Sequence, residues 1–101
     1  MAGSSEIGFA PDHPTAAGHF PGNPIIPGAL LLDSVIGTIA KAEGLAAPYE
    51  LRAVKFLRPV RPGDRVRIEW REERGVLQFR VLAGAEQVAA SGTLRAASKS
   101  E

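Results

Sequence analysis

The sequence contains no cysteine. That excludes a disulfide framework, a thiolate metal site and a cysteine nucleophile. It also fits a reducing compartment, so the cytoplasm is the expected location. Only two histidines occur, His13 and His19, too few for a multi-histidine cage, and no metal is expected. Charge of either sign is not in excess: 12 Lys and Arg stand against 11 Asp and Glu, a net +1. Bulk attraction to nucleic acid or to a lipid surface is therefore not expected. Long apolar runs are missing too. The longest uncharged stretch, Pro14 to Leu32, carries four prolines, whereas a spanning helix needs about 20 unbroken apolar residues. Residues Met1 to Ser5 have no basic start and no apolar run, so they do not read as a signal peptide.

What remains has the balance of a globular protein, 45% hydrophobic and 23% charged over 101 residues. That length holds one domain, 1–101. Its small polar ends, 1–5 and 97–101, are expected to fray. A chain of this size buries roughly 60–68% of its unfolded surface, so a lone monomer would be modestly stable.

Residues 10–28 are rich in Pro and Gly and read as a long irregular loop, a feature that is usually functional in a small domain. From Pro27 the pattern becomes helical. Residues 29–43 form the expected helix, with Gly44 as its stop. Leu30, Leu31, Leu32, Val35, Ile36, Ile39 and Ala40 cover most of its circumference, which predicts burial on most sides. Strands follow at Leu51 to Val60, Arg65 to Trp70, Val76 to Leu82 and Gln87 to Arg95. They are separated by turn signals at Arg61-Pro62-Gly63-Asp64, Arg74-Gly75 and Ala83-Gly84-Ala85-Glu86. The expected class is α+β: one buried helix wrapped by a curved antiparallel sheet.

Two residues stand out chemically. Asp33 interrupts the apolar helix, where an acid is costly to bury. Either burial favours its neutral form, or it lies on a narrow exposed stripe or at a subunit contact. His19 stands in Gly18-His19-Phe20-Pro21-Gly22, where it could equally be a packed structural residue. Together they offer a general base and a general acid. The loop between them ends at a helix N-terminus, Pro27-Gly28, whose N–H groups can polarise a carbonyl.

The stretch Gly18-His19-Phe20-Pro21-Gly22-Asn23-Pro24-Ile25-Ile26-Pro27-Gly28 resembles the signature of the β-hydroxyacyl-[acyl-carrier-protein] dehydratases, a His-Phe-Pro-Gly motif with an acid fourteen residues after the His. His19 and Asp33 have that spacing. Val54-Lys55-Phe56-Leu57-Arg58-Pro59-Val60-Arg61-Pro62-Gly63-Asp64 is similar to the family's second motif. The resemblance implies the hotdog fold, and a homodimer or trimer of dimers in which each site takes its His from one chain and its acid from the other. It implies a hydro-lyase that dehydrates a 3-hydroxyacyl thioester on acyl carrier protein to the trans-2-enoyl thioester, in fatty acid or polyketide/aryl-polyene-type synthesis. The implied roles are His19 as base, Asp33 as acid and the Gly28 N–H as oxyanion donor. Phe20, Pro21, Gly22, Leu32, Ile36 and Phe56 are the candidate substrate wall. No resident cofactor is implied, the phosphopantetheine arm coming with the carrier protein.

Lys55, Arg58 and Arg61 are the expected contact for that acidic carrier. They belong to a run of six basic residues between Arg52 and Arg67, which could also be a solvated sheet face. Three departures from the family accompany the match. The acid is Asp, as in the branch that also isomerises the double bond, whereas the commonest short-chain dehydratases carry Glu. Gly37 stands where they carry Gln. Residues 1–17 do not match their Tyr-Pro opening segment, so a pocket that is more open or differently lined is expected. A hotdog acyl thioesterase and a non-catalytic carrier-binding subunit are the alternatives.

Overall fold

The computed structural model describes residues 2–9, 25–84 and 86–96. In chain order the elements are β1 (Ala2–Gly8), α1 (Gly28–Glu43), β2 (Tyr49–Phe56), β3 (Arg65–Glu73), β4 (Val76–Ala83) and β5 (Gln87–Ala96). All pairings are antiparallel, and the strand order is β1-β3-β4-β5-β2.

The α+β class and the antiparallel pairing stand, but the wrapped helix does not. The sheet is open: β1 and β2 are its two edges and do not pair with each other, so it neither curls round α1 nor closes. The helix accordingly has a wet side. It buries Leu31, Val35, Ile39 and Ala40, while Ala29, Asp33, Gly37 and Lys41, spaced four apart, are exposed. Leu30, Leu32 and Ile36 are half-buried at the margins of the packed stripe. The apolar count around the helix overstated its burial because the sheet covers only one stripe of it, leaving Leu30, Leu32 and Ile36 at the margins.

Helix boundaries follow from local chemistry. Pro27 has extended backbone (φ −57°, ψ 142°) and stands just outside α1, its carbonyl accepting the first helical bond from Leu31 N–H at 3.0 Å. Gly44 ends the helix at φ 68°, a left-handed conformation that glycine adopts without a Cβ clash. The Arg74-Gly75 hairpin has both residues at positive φ, 56° and 79°, the twist that suits a two-residue β-turn. Arg61-Pro62-Gly63-Asp64 forms its turn with Asp64 N–H donating to Arg61 C=O at 3.0 Å and Arg61 N–H donating to Asp64 Oδ2 at 2.8 Å.

The core lies between α1 and one face of the sheet. Val35 and Ile39 meet Val66, Ile68, Trp70, Leu77, Phe79, Val81, Ala90 and Leu94 in one cluster. One cross-strand row on this face sets two rings between two gaps: Gly3, Trp70, Phe79, Gly92 are successive partners. The Trp70 ring lies over Gly3 and the Phe79 ring over Gly92. This explains an element the sequence did not announce. Ala2 to Ser5, expected to fray, form the start of β1, because Gly3 leaves room for an indole that a larger side chain would displace. Trp70 Nε1–H also donates to Glu43 Oε2 at 2.6 Å, tying β3 to the end of α1. The tail, 97–101, lies outside the described residues.

Candidate functional site

Of the expected site residues, His19, Phe20, Pro21 and Gly22 lie outside the described residues. The others can be placed. Gly28 is the first residue of α1. The first N–H groups of a helix have no intrahelical acceptor, and no side chain among the described residues caps this end. The approach to it is fixed by Ile26, which is buried and whose N–H donates to Val60 C=O at 2.7 Å.

Val60 belongs to the segment that follows β2, and β2 itself brings Phe56 to the same place. Leu51 pairs with Leu94 and Arg52 with Thr93, but Lys55 pairs with Ser91 and Phe56 with Ala90. Ala53 and Val54 therefore share one partner position, a β-bulge, with Ala53 at φ 55°. Strict alternation from Leu51 would turn Phe56 away from the helix. The extra residue reverses that and sends Lys55 to the outer face instead. The Phe56 ring ends against Gly28: a Cβ on Gly28 would lie 2.9 Å from its Cζ. The ring is still 53% exposed, so it is available to a ligand.

Asp33 is exposed rather than buried, the second of the two possibilities the sequence left open. Five residues from Gly28, it lies about 140° around the helix axis and about 7.5 Å along it. One chain thus presents the helix start and the acid on different sides. Leu32 lies about 40° around the axis from Gly28 and Ile36 about 80°, between Gly28 and Asp33, and both flank the core.

The basic run divides. Arg52 pairs with Glu50, Arg65 with Glu6, and Arg67 with Glu69 and Glu86. The Arg80 hydrogen bond, aided by Arg67, holds the Glu69 carboxylate below its ordinary pKa, and the Arg95 hydrogen bond does the same for Glu50. Among the described residues, Lys55 and Arg58 have no acid within ion-pair distance, and both are exposed, as is Arg61. They do not form one flat patch: Lys55 is on the outer sheet face, Arg58 just beyond β2 and Arg61 in the turn. A broad open depression on that outer face is lined by Ser4, Lys55, Arg80 and Ser91 among others. It contains neither Gly28, Asp33 nor Phe56, so it is separate from the expected acyl site. No group of three or more metal-ligating side chains occurs among the described residues, and no helix of theirs is long and apolar enough to cross a membrane. The bulge residue Ala53 is the positioning feature that sequence reading missed. Alanine carries no signal for positive φ.

Known proteins bear on this geometry. Residues 3–93 match the family described as ApeI-like, ApeI dehydratase. The 3-hydroxyacyl-[acyl-carrier-protein] dehydratase FabZ of Blochmanniella pennsylvanica (strain BPEN) is 36% identical over 104 residues, covering 89% of this chain and 69% of that protein. Among solved structures, the dehydratase heterocomplex ApeI:P from Xenorhabdus doucetiae matches with a TM-score of 0.75 at 24% identity, over 93% of this chain and 85% of that one. The (R)-hydratase from A. caviae involved in PHA biosynthesis matches with a TM-score of 0.62 at 20% identity, over 96% and 95%. Those two likenesses show the fold. The family match spans both sequence motifs, including His19, Gly28, Asp33 and Phe56. The chain therefore belongs to the ApeI-like dehydratase family, hotdog-fold proteins closely related to the FabZ-type 3-hydroxyacyl dehydratases.

Proposed function

We propose that the protein removes water from a 3-hydroxyacyl thioester carried on acyl carrier protein, giving the trans-2-enoyl thioester. The observation that carries this reading is the family match over residues 3–93, which includes a base and an acid fourteen residues apart and a helix that opens at Gly28. The thioester oxygen accepts a hydrogen bond from the Gly28 N–H, and the helix dipole stabilises the developing enolate. His19 takes the C2 proton; an imidazole with a reference pKa of about 6.5 is a competent base near neutrality. The C2 electron pair forms the C2=C3 bond as the C3–O bond breaks. Asp33 supplies the proton with which the hydroxyl leaves as water. The acid returns to its starting state by taking back the proton from His19, directly or through solvent.

Asp33 points to water in the single chain, on a different side of α1 from Gly28. This supports a site completed by a second subunit, the acid of one chain serving the His and helix end of the other. A homodimer, alone or as a trimer of dimers, is the proposed assembly. A second arrangement is favoured by one observation: the solved structure from X. doucetiae is a heterocomplex, so the completing subunit could be a different hotdog chain. Lys55, Arg58 and Arg61 are proposed to meet the acidic carrier protein. Phe20, Pro21, Gly22, Leu32 and Ile36 are proposed to line the acyl path, in fatty acid or polyketide/aryl-polyene-type synthesis within the cytoplasm.

The test is ultraviolet detection of enoyl thioester formed from a 3-hydroxyacyl thioester by the purified protein. His19→Ala should abolish turnover. Asp33→Asn should slow it by about 10² or more. Turnover of Asp33→Asn near the wild-type rate would remove the acid from the mechanism. Activity that appears only on adding a second hotdog subunit would establish the heteromeric arrangement.

A further inference from the structure

Gly28 has no conformational reason to be glycine. It is helical, with no positive φ, and in a helix glycine is less favourable than alanine. What excludes a side chain is Phe56: three ring atoms, Cζ, Cε1 and Cε2, lie 2.9, 3.1 and 3.3 Å from the position a Cβ would take. The ring in turn is held where it is by the backbone on both sides of it. Before it, the bulge at Ala53-Val54 turns it to the helix side. After it, Leu57 and Arg58 N–H both donate to Ala89 C=O, at 2.8 and 3.2 Å, and Val60 C=O receives the Ile26 N–H. Ile26 is two residues before Gly28, so the ring and the helix end are braced against each other. Yet the ring is half open to solvent.

We infer that Phe56 is a positioning residue for the thioester: its ring is the apolar floor beside the Gly28 N–H and sets how closely a carbonyl can approach it. This rests on the dehydratase reading of the site. The bare Gly28 Cα and the ring together leave the first-turn N–H reachable while covering the side of the helix end from which water would compete. A Cβ at position 28 keeps the N–H but drives the ring off its seat, and a displacement on the order of 1 Å at such a site can slow a reaction about 10²-fold.

The experiment is a double-substitution cycle on the full chain: wild type, Gly28→Ala, Phe56→Leu, and both together. Leucine lacks the three ring atoms that block the Cβ. Each variant is assayed for enoyl thioester formation, for Tm, and for assembly by sedimentation. Gly28→Ala is expected to lower kcat by roughly 10–100-fold with KM little changed. Phe56→Leu should lower kcat by a few-fold. In the Phe56→Leu background, Gly28→Ala should have little further effect on kcat or Tm, so the double variant is far more active than Gly28→Ala alone. Equal penalties for Gly28→Ala in both backgrounds would overturn the inference. So would loss of assembly on Phe56→Leu, which would make the ring a subunit contact. A wild type that does not dehydrate would overturn the dehydratase reading, and with it any positioning role. In that case non-additive Tm values would still show the steric pair, so the two failures are distinguishable.

Discussion

Replacing Gly92 by alanine tests whether the ring-and-gap row organises the core. Gly92 faces Phe79 in the β4–β5 register. A Cβ there would stand 2.8 Å from Phe79 Cζ, 3.1 Å from Cε2 and 3.2 Å from Val54 Cγ2. Ordinary carbon contacts are about 3.5–4.0 Å, so an overlap of about 0.7 Å or more has to be relieved. Phe79 is 1% exposed and lies among fully buried neighbours, so the ring has nowhere to swing. Overpacking of this kind costs about 1–3 kcal/mol. Removing a strand glycine offsets about 0.5–1 kcal/mol of that through unfolded-chain entropy. From the middle of those two ranges the expected net loss is about 1 kcal/mol, at about 4–8 °C of Tm per kcal/mol for a domain of this size. Thermal unfolding by circular dichroism reads it, at one protein concentration because assembly makes Tm concentration-dependent. In a Phe79→Leu background, where Cζ and Cε2 are gone, the same substitution should be nearly neutral. An unchanged or raised Tm for Gly92→Ala in the wild-type background would refute the packing argument.

Gly37→Ala should act in the opposite sense. The position is exposed, helical and has nothing within 4 Å of a Cβ, so Tm should rise by the equivalent of about 0.5–1 kcal/mol; a fall would show that this face is covered in the assembly. Ala53→Gly should also stabilise, by about 0.5–1 kcal/mol, since alanine at φ 55° pays for a left-handed conformation, whereas Ala53→Val should destabilise. Equal Tm for both would mean that the bulge is absent in solution. Acid lability should report the Glu69 and Glu50 pairs. Their carboxylates titrate below the ordinary value of 4.5 in the folded protein. The stability they supply is therefore complete above that value and is lost as pH falls through the depressed folded pKa. Glu69→Gln should flatten the fall of Tm below about pH 4.5, with only a small effect at pH 7 because the group is exposed; an unaltered acid limb would remove that pair from the account.

Much of this protein was legible before any coordinates. The helix stop at Gly44 and the turns at Gly63 and Arg74-Gly75 rest on short-range backbone chemistry, which a sequence carries explicitly. The same holds for the strands of the second half, where period-two alternation marks the buried face. The two motifs pointed to the family, because a base, an acid and a helix start at set spacing are chemical requirements written along the chain. Four things were not legible, and each depends on contacts between distant residues. β1 forms from weakly strand-prone residues because Gly3 accommodates Trp70 from a strand more than sixty residues away. The sheet is open because β1 and β2 end up as opposite edges, which no local pattern encodes. Asp33 faces water because burial of α1 is decided by which stripe the sheet covers, not by how many apolar residues the helix has. Phe56 reaches Gly28 because one extra residue in β2 reverses the alternation. The sequence by itself determined local conformation and chemical repertoire, through backbone sterics and residue type. Only tertiary structure decided which faces are dry and which side chains meet, since those depend on pairing register and packing across the whole chain.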